Sequence, residues 1–130
     1  WGVYTGGCIS KLGGGSVAKR LTANDVILRS ITESELQKNI IELAELRGWA
    51  VVHINDSRAQ RADGLPDLLM VRRPRIVWAE LKRERNAGHN KNDPTLIQQW
   101  WLDELEACGA EVYLWRPNDW MESTIDKILE

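Results

Sequence analysis

Two short apolar runs flank Arg72-Arg73-Pro74-Arg75, and this pairing constrains the fold more than any other feature of the chain. Leu68-Leu69-Met70-Val71 and Ile76-Val77-Trp78-Ala79-Glu80-Leu81-Lys82 have strand composition. A proline among charged residues is turn chemistry. The expectation is an antiparallel hairpin, in which the numbers of facing residues sum to a constant. With the turn centred between Arg73 and Pro74, Asp67 at the start of one strand faces Glu80 near the end of the next. Side chains alternate along a strand, so Glu80 and Lys82 share a face while Ala79 and Leu81 take the other. Two carboxylates and an ammonium therefore converge at one end of the hairpin.

The rest of the chain supplies elements to pack around it. Leu36, Ile40 and Leu43 recur at helical spacing behind a Thr32 or Ser30 cap, predicting a helix over 33–47 that ends at Gly48. Trp-Ala-Val-Val-His-Ile over 49–54 reads as a strand, followed by a polar loop over 55–65. Asp93 and Pro94 predict a helix start, and that helix runs to Cys108 and closes at Gly109. A fourth strand over 111–115 precedes a last helix, which opens on the Asp119 and Glu122 capping-box spacing and continues to Leu129. The order is α-β-β-β-α-β-α. The fold class is α/β, a four-stranded mixed sheet flanked by helices, which buries every element in one core.

A chain of 130 residues fits a single domain of this kind. Residues 1–30 read differently from 31–130: Gly6-Gly7 and Gly13-Gly14-Gly15-Ser16 interrupt them and no periodicity persists, so they are expected to form a flexible or partner-ordered arm. The lack of a Met at position 1 reads as a processed or trimmed end. No apolar run nears the roughly 20 residues of a membrane span and no secretion signal is visible, giving the expectation of a cytoplasmic protein. Cys8 and Cys108 form no metal-ligand cluster and read as reduced thiols rather than a zinc site.

The net charge of −2 hides an asymmetry. From Arg58 to Lys91 nine basic residues face four acidic ones, so that segment carries +5 and the remainder −7. Such a segment suits contact with a polyanion such as DNA, or simple solvation. Arg58 is the strongest phosphate-contact candidate because its planar fork matches phosphate oxygens, with Arg61, Arg83, Arg85 and Lys91 beside it. Arg72, Arg73 and Arg75 at the hairpin tip could each contact phosphates, but a hairpin tip usually carries charge simply for solubility. His53 and His89 lack partners for nucleophilic or zinc chemistry, and of the adjacent Trp100 and Trp101 one is expected in the core.

Gly64-Leu65-Pro66-Asp67, twelve residues, then Glu80-Leu81-Lys82 resembles the PD-(D/E)XK nuclease motif. More closely, the chain from about Thr32 to Leu129 resembles the VRR-NUC family of that superfamily. The likeness runs through the Thr-Glu-Ser-Glu-Leu-Gln helix start, Gly48-Trp49, Asp56-Ser57-Arg58, Gly-Leu-Pro-Asp and Trp-Ala-Glu-Leu-Lys. It continues with Gln98 before Trp101-Leu102 and ends in Glu-Val-Tyr-Leu-Trp-Arg-Pro. The resemblance implies a restriction endonuclease-like core and a Mg²⁺- or Mn²⁺-dependent DNA endonuclease. Its metal ligands would be Asp67 and Glu80, assisted by an acid of the first helix, Glu33, with Glu35 as the alternative. Lys82 and Gln98 complete the catalytic set. It also implies similarity to Holliday junction resolvases, and hence branched DNA and a homodimer as partners. The alternatives are a flap, nick or duplex nuclease, or a non-catalytic DNA-binding module on the same fold.

Overall fold

The computed structural model describes residues 20–54, 63–85 and 91–130. Helix α1 (Ala23–Ser30) is followed by α2 (Glu33–Leu46) and then by strands β1 (Ala50–His53), β2 (Leu68–Arg72) and β3 (Arg75–Leu81). Helix α3 (Leu96–Ala107), strand β4 (Glu111–Trp115) and helices α4 (Pro117–Met121) and α5 (Thr124–Ile128) complete the chain. The sheet order is β1-β2-β3-β4, antiparallel across the first three strands and parallel between β3 and β4. The parallel step is made by α3, since parallel neighbours need a crossover. This is the expected four-stranded mixed sheet flanked by helices. Among the described residues no helix is long and apolar enough to cross a membrane.

The hairpin register is the predicted one. Leu68 faces Ala79 and Arg72 faces Arg75, so the same sum carried one residue further sets Asp67 opposite Glu80. Alternation along β3 then sorts its side chains. Val77, Ala79 and Leu81 are fully buried with Leu36, Ile40 and Ala44 of α2, with Trp49, and with Ile125 and Leu129 at the C-terminus. Each fully buried aliphatic side chain in this layer stabilises the fold by roughly 1.5–3 kcal/mol.

The hairpin tip is packed, which corrects its reading as solubilising charge. The Arg72 and Arg75 guanidinium groups lie over the Trp49 ring, 4.6 and 5.0 Å from its centroid. Arg75 also donates to both carboxylate oxygens of Glu111, at 2.7 and 2.8 Å, and to the Ile128 carbonyl at 2.8 Å. Arg72 donates to the Arg47 carbonyl at 3.0 Å. The indole N–H of Trp49 donates to the Leu129 carbonyl at 3.0 Å, so the hairpin arginines and this tryptophan together fasten the C-terminus.

Three boundaries differ from the sequence expectation, each for a local reason. Residues 1–30 contain α1, whose Thr22 and Asp25 form a reciprocal capping box; it is amphipathic but only eight residues long and buries none of them. Helix α3 is capped by Thr95, not Asp93, because the Asp93 carboxylate is taken by Arg85 at 2.6 Å and Arg116 at 3.2 Å. The last helix is split in two. Asp119 sits inside α4 and accepts the Arg116 backbone N–H at 2.8 Å, and Ser123, in the left-handed region at φ 61°, ends that helix before α5 begins.

Candidate active site

Asp67 ends the loop that enters β2. One of its carboxylate oxygens, Oδ2, accepts the Leu81 backbone N–H at 2.8 Å, which locks it against the far end of β3. Glu80 faces it with only 2% of its surface exposed, and Glu80 is the one charged residue in the buried set among the described residues. Its Oε1 lies 3.6 Å from the ammonium of Lys82, and Lys82 is itself 13% exposed. Its Oε2 is fully buried and has no hydrogen-bond partner. The predicted convergence of two carboxylates and one ammonium is therefore present.

Electrostatics make the pair incomplete by itself. Burial raises the Glu80 pKa first, the adjacent Asp67 charge raises it further, and Lys82 opposes both; the carboxyl is pushed up to about 8. A buried carboxylate beside a second carboxylate needs a proton or a cation to offset the lost hydration. Protonated, Glu80 no longer repels the Asp67 carboxylate. Ionised, it leaves Oε2 without a donor, and a hard divalent cation that favours carboxylate oxygens answers that deficit. The residues present thus fit a Mg²⁺-type ion held by Asp67 and Glu80.

Glu33 stands at the first position of α2, exposed as a residue. Its carboxyl is nevertheless raised above the ordinary range, mainly by partial desolvation; the nearby Lys82 opposes the shift and Asp67 adds to it. Glu33 therefore feels the same site. Glu35, the alternative acid, instead caps its own helix: its Oε2 accepts the Thr32 backbone N–H at 3.1 Å while the Thr32 hydroxyl accepts the Glu35 N–H at 3.1 Å. Among the described residues no group of three or more His, Cys, Asp or Glu is placed to hold an ion.

Helix α3 abuts the site through the loop before Asp67. Gly64 has φ +83°, and a Cβ placed there would lie 2.9 Å from Ile97 Cγ2 and 3.1 Å from the Gln98 backbone nitrogen. Only glycine fits both the conformation and the approach. Trp101 adds a bond from its indole N–H to the Asp63 carbonyl at 2.9 Å, and Trp100 stays exposed. Gln98 lies in this first turn, where its side-chain oxygen accepts the Thr95 N–H at 2.9 Å, leaving its amide NH₂ as the group for other partners. The spacing Thr95-x-x-Gln98 is itself a capping-box signal that the Asp93-Pro94 reading passed over.

Of the basic residues, Arg83 is exposed and donates to the Arg29 carbonyl of α1 at 2.8 Å, and Arg85 is exposed but paired with Asp93. Lys91 is exposed. Arg58, Arg61 and His89 lie outside the described residues. His53 is exposed on β1 opposite Leu68, on the strand beside the hairpin. A residue that the sequence reading did not single out, Arg116, is 14% exposed and donates to three acceptors around the end of β3.

The hairpin, crossing over to a parallel fourth strand, carries two carboxylates and a lysine at one end. A solved structure described as a VRR_NUC domain shares this fold, with a TM-score of 0.56 and 24% sequence identity over 75% of this chain and 92% of that one. No family model and no curated protein sequence matches the chain.

Proposed function

We propose that this chain is a VRR-NUC-type, metal-dependent DNA endonuclease that hydrolyses phosphodiester bonds. The observation that carries the reading is buried Glu80 facing the half-buried Asp67, with its Oε1 3.6 Å from the Lys82 ammonium and its Oε2 without a hydrogen-bond partner among the described residues. The fold shared with a VRR_NUC domain supports it.

Asp67 and Glu80 would hold a Mg²⁺ or Mn²⁺ ion, with Glu33 assisting from the start of α2. Such an ion, when bound, supplies Lewis-acid polarisation of the scissile phosphate and acidifies an attacking water. The chain's own groups do the rest. Asp67 is prevented from turning away by its bond to the Leu81 N–H. Lys82 orients the water and offsets charge that accumulates on the phosphoryl oxygens as the bond breaks. The amide NH₂ of Gln98 orients the phosphate or water. Arg58, Arg61, Arg83, Arg85 and Lys91 contribute phosphate contacts along the flanking DNA, making binding strongly salt-dependent.

Branched DNA, cut in the manner of a Holliday junction resolvase by a two-fold homodimer, is the substrate class that this reading favours, because paired strands call for paired sites. The experiment is cleavage of labelled four-way junction, flap, nicked duplex, duplex and single-stranded DNA in Mg²⁺, Mn²⁺ or EDTA. Metal-dependent cutting establishes the nuclease, and symmetric paired nicks confined to the junction establish the resolvase. A folded protein that binds DNA and cuts nothing with either metal is a non-catalytic binding module instead.

A further inference from the structure

We propose that Arg116 is a positioning residue for Lys82, a role that rests on the hydrolytic reading above. Lys82 lies just past β3, where the strand ladder gives out, yet three successive backbone groups there are held by distant partners. The Leu81 N–H donates to Asp67 at 2.8 Å. The Lys82 N–H donates to the Trp115 carbonyl at 3.0 Å, one step beyond the Leu81–Trp115 pair that ends the parallel register. The Arg83 carbonyl accepts from Arg116 Nη1 at 2.6 Å. The Lys82 backbone is thus restrained on both sides, and its ammonium lies 3.6 Å from Glu80 Oε1.

Arg116 is placed for this by its own surroundings. It follows the last residue of β4 and precedes Pro117, which is buried at the start of α4, so its backbone is committed and its guanidinium turns back along β3. The same group donates to the Asn92 carbonyl at 2.8 Å and to Asp93 at 3.2 Å, joining the chain that leaves β3 to the chain that enters α3. Its planar fork reaches these three acceptors from two nitrogens held in fixed geometry, whereas the three donors of an ammonium radiate from a single atom. Other ties hold the same two segments: Asn92 donates to the Glu84 carbonyl at 2.8 Å, and the Asn118 N–H donates to the Glu84 carboxylate at 2.6 Å. Arg83 is tied through its side chain to the Arg29 carbonyl at 2.8 Å, and among these bonds Arg116 supplies the restraint on its backbone carbonyl, next to Lys82. A sub-ångström to 1 Å misplacement of a catalytic group lowers rate by roughly tenfold to a hundredfold without weakening substrate binding.

The test uses the full chain as wild type, Arg116→Met and Arg116→Lys. Lysine acetylation at limiting acetic anhydride, read by peptide mass spectrometry, is combined with metal-dependent DNA cleavage. Arg116→Met is expected to raise acetylation of Lys82 several-fold relative to the exposed Lys38, Lys91 and Lys127. It should also lower kcat by about tenfold or more with KM within twofold. Arg116→Lys is expected to restore part of both. Unchanged Lys82 acetylation, an unchanged kcat, or a rise in KM at constant kcat overturns the proposal, the last by making Arg116 a DNA contact. If Arg116→Met unfolds, all lysines react alike and the Arg116→Lys values decide by the same criteria. If the wild type cuts nothing, the hydrolytic reading fails separately, and an unchanged acetylation ratio still overturns the positioning of Lys82.

Discussion

Replacing Glu80 by Gln in the metal-free protein should change how stability depends on pH. In the folded chain the Glu80 carboxyl is pushed up to about 8 from an ordinary value of 4.5, first by burial and then by Asp67. Below pH 4.5 folded and unfolded chains both carry the proton, and Glu80 exerts no pH dependence. Between 4.5 and about 8 the unfolded chain has lost it and the folded chain keeps it, so stability falls as pH rises. Above about 8 both are ionised and the curve is flat again. At 1.36 kcal/mol for each pH unit of that interval, the loss approaches about 5 kcal/mol. At roughly 4 °C per kcal/mol for a chain of this length, that is a Tm change approaching 20 °C. The assay is thermal and urea unfolding of wild type and Glu80→Gln in EDTA from pH 4.5 to 9. Titrations common to both proteins cancel in the difference, which should lose wild-type stability steadily up to pH 8 and then level off. Adding Mn²⁺ at pH 8 should restore the wild type and leave the variant nearly unmoved. A flat difference between pH 5 and 8 would refute the argument that burial holds Glu80 protonated.

Lys82→Ala should reduce metal-dependent cleavage by at least about a hundredfold, since a charge-stabilising donor in a water-poor site is worth that much or more; single-turnover kinetics on labelled DNA measure it. Gly64→Ala forces a φ of +83° on a residue that resists it and drives a methyl to 2.9 Å from Ile97 Cγ2, so a loss of about 1–3 kcal/mol in urea unfolding is expected. Arg75→Gln removes a two-point pairing with Glu111 and a bond to the Ile128 carbonyl. It should cost roughly 2–3 kcal/mol, with C-terminal amide protection in hydrogen exchange falling first.

What the sequence determined by itself is local. Strand composition around Arg73-Pro74 sets the hairpin, and a hairpin has one arithmetic, so the facing of Asp67 and Glu80 and the shared side of Glu80 and Lys82 were readable from numbers alone. The choice between Glu33 and Glu35 was left open by the sequence; the structure places Glu35 in the Thr32 capping box. Tertiary structure decided what depends on residues far apart in the chain. Arg72 and Arg75 look like solvated tip charges until Trp49 and the C-terminus pack beneath them. Asp93 reads as a helix cap until Arg85 and Arg116 claim it. Arg116 has no local pattern at all, since the carbonyls it binds lie 33 and 24 residues away. The physical reason is the same in each case: periodicity and turn chemistry act over a few bonds, whereas the partner of a buried charge is set by which distant backbone groups the closed sheet leaves unpaired.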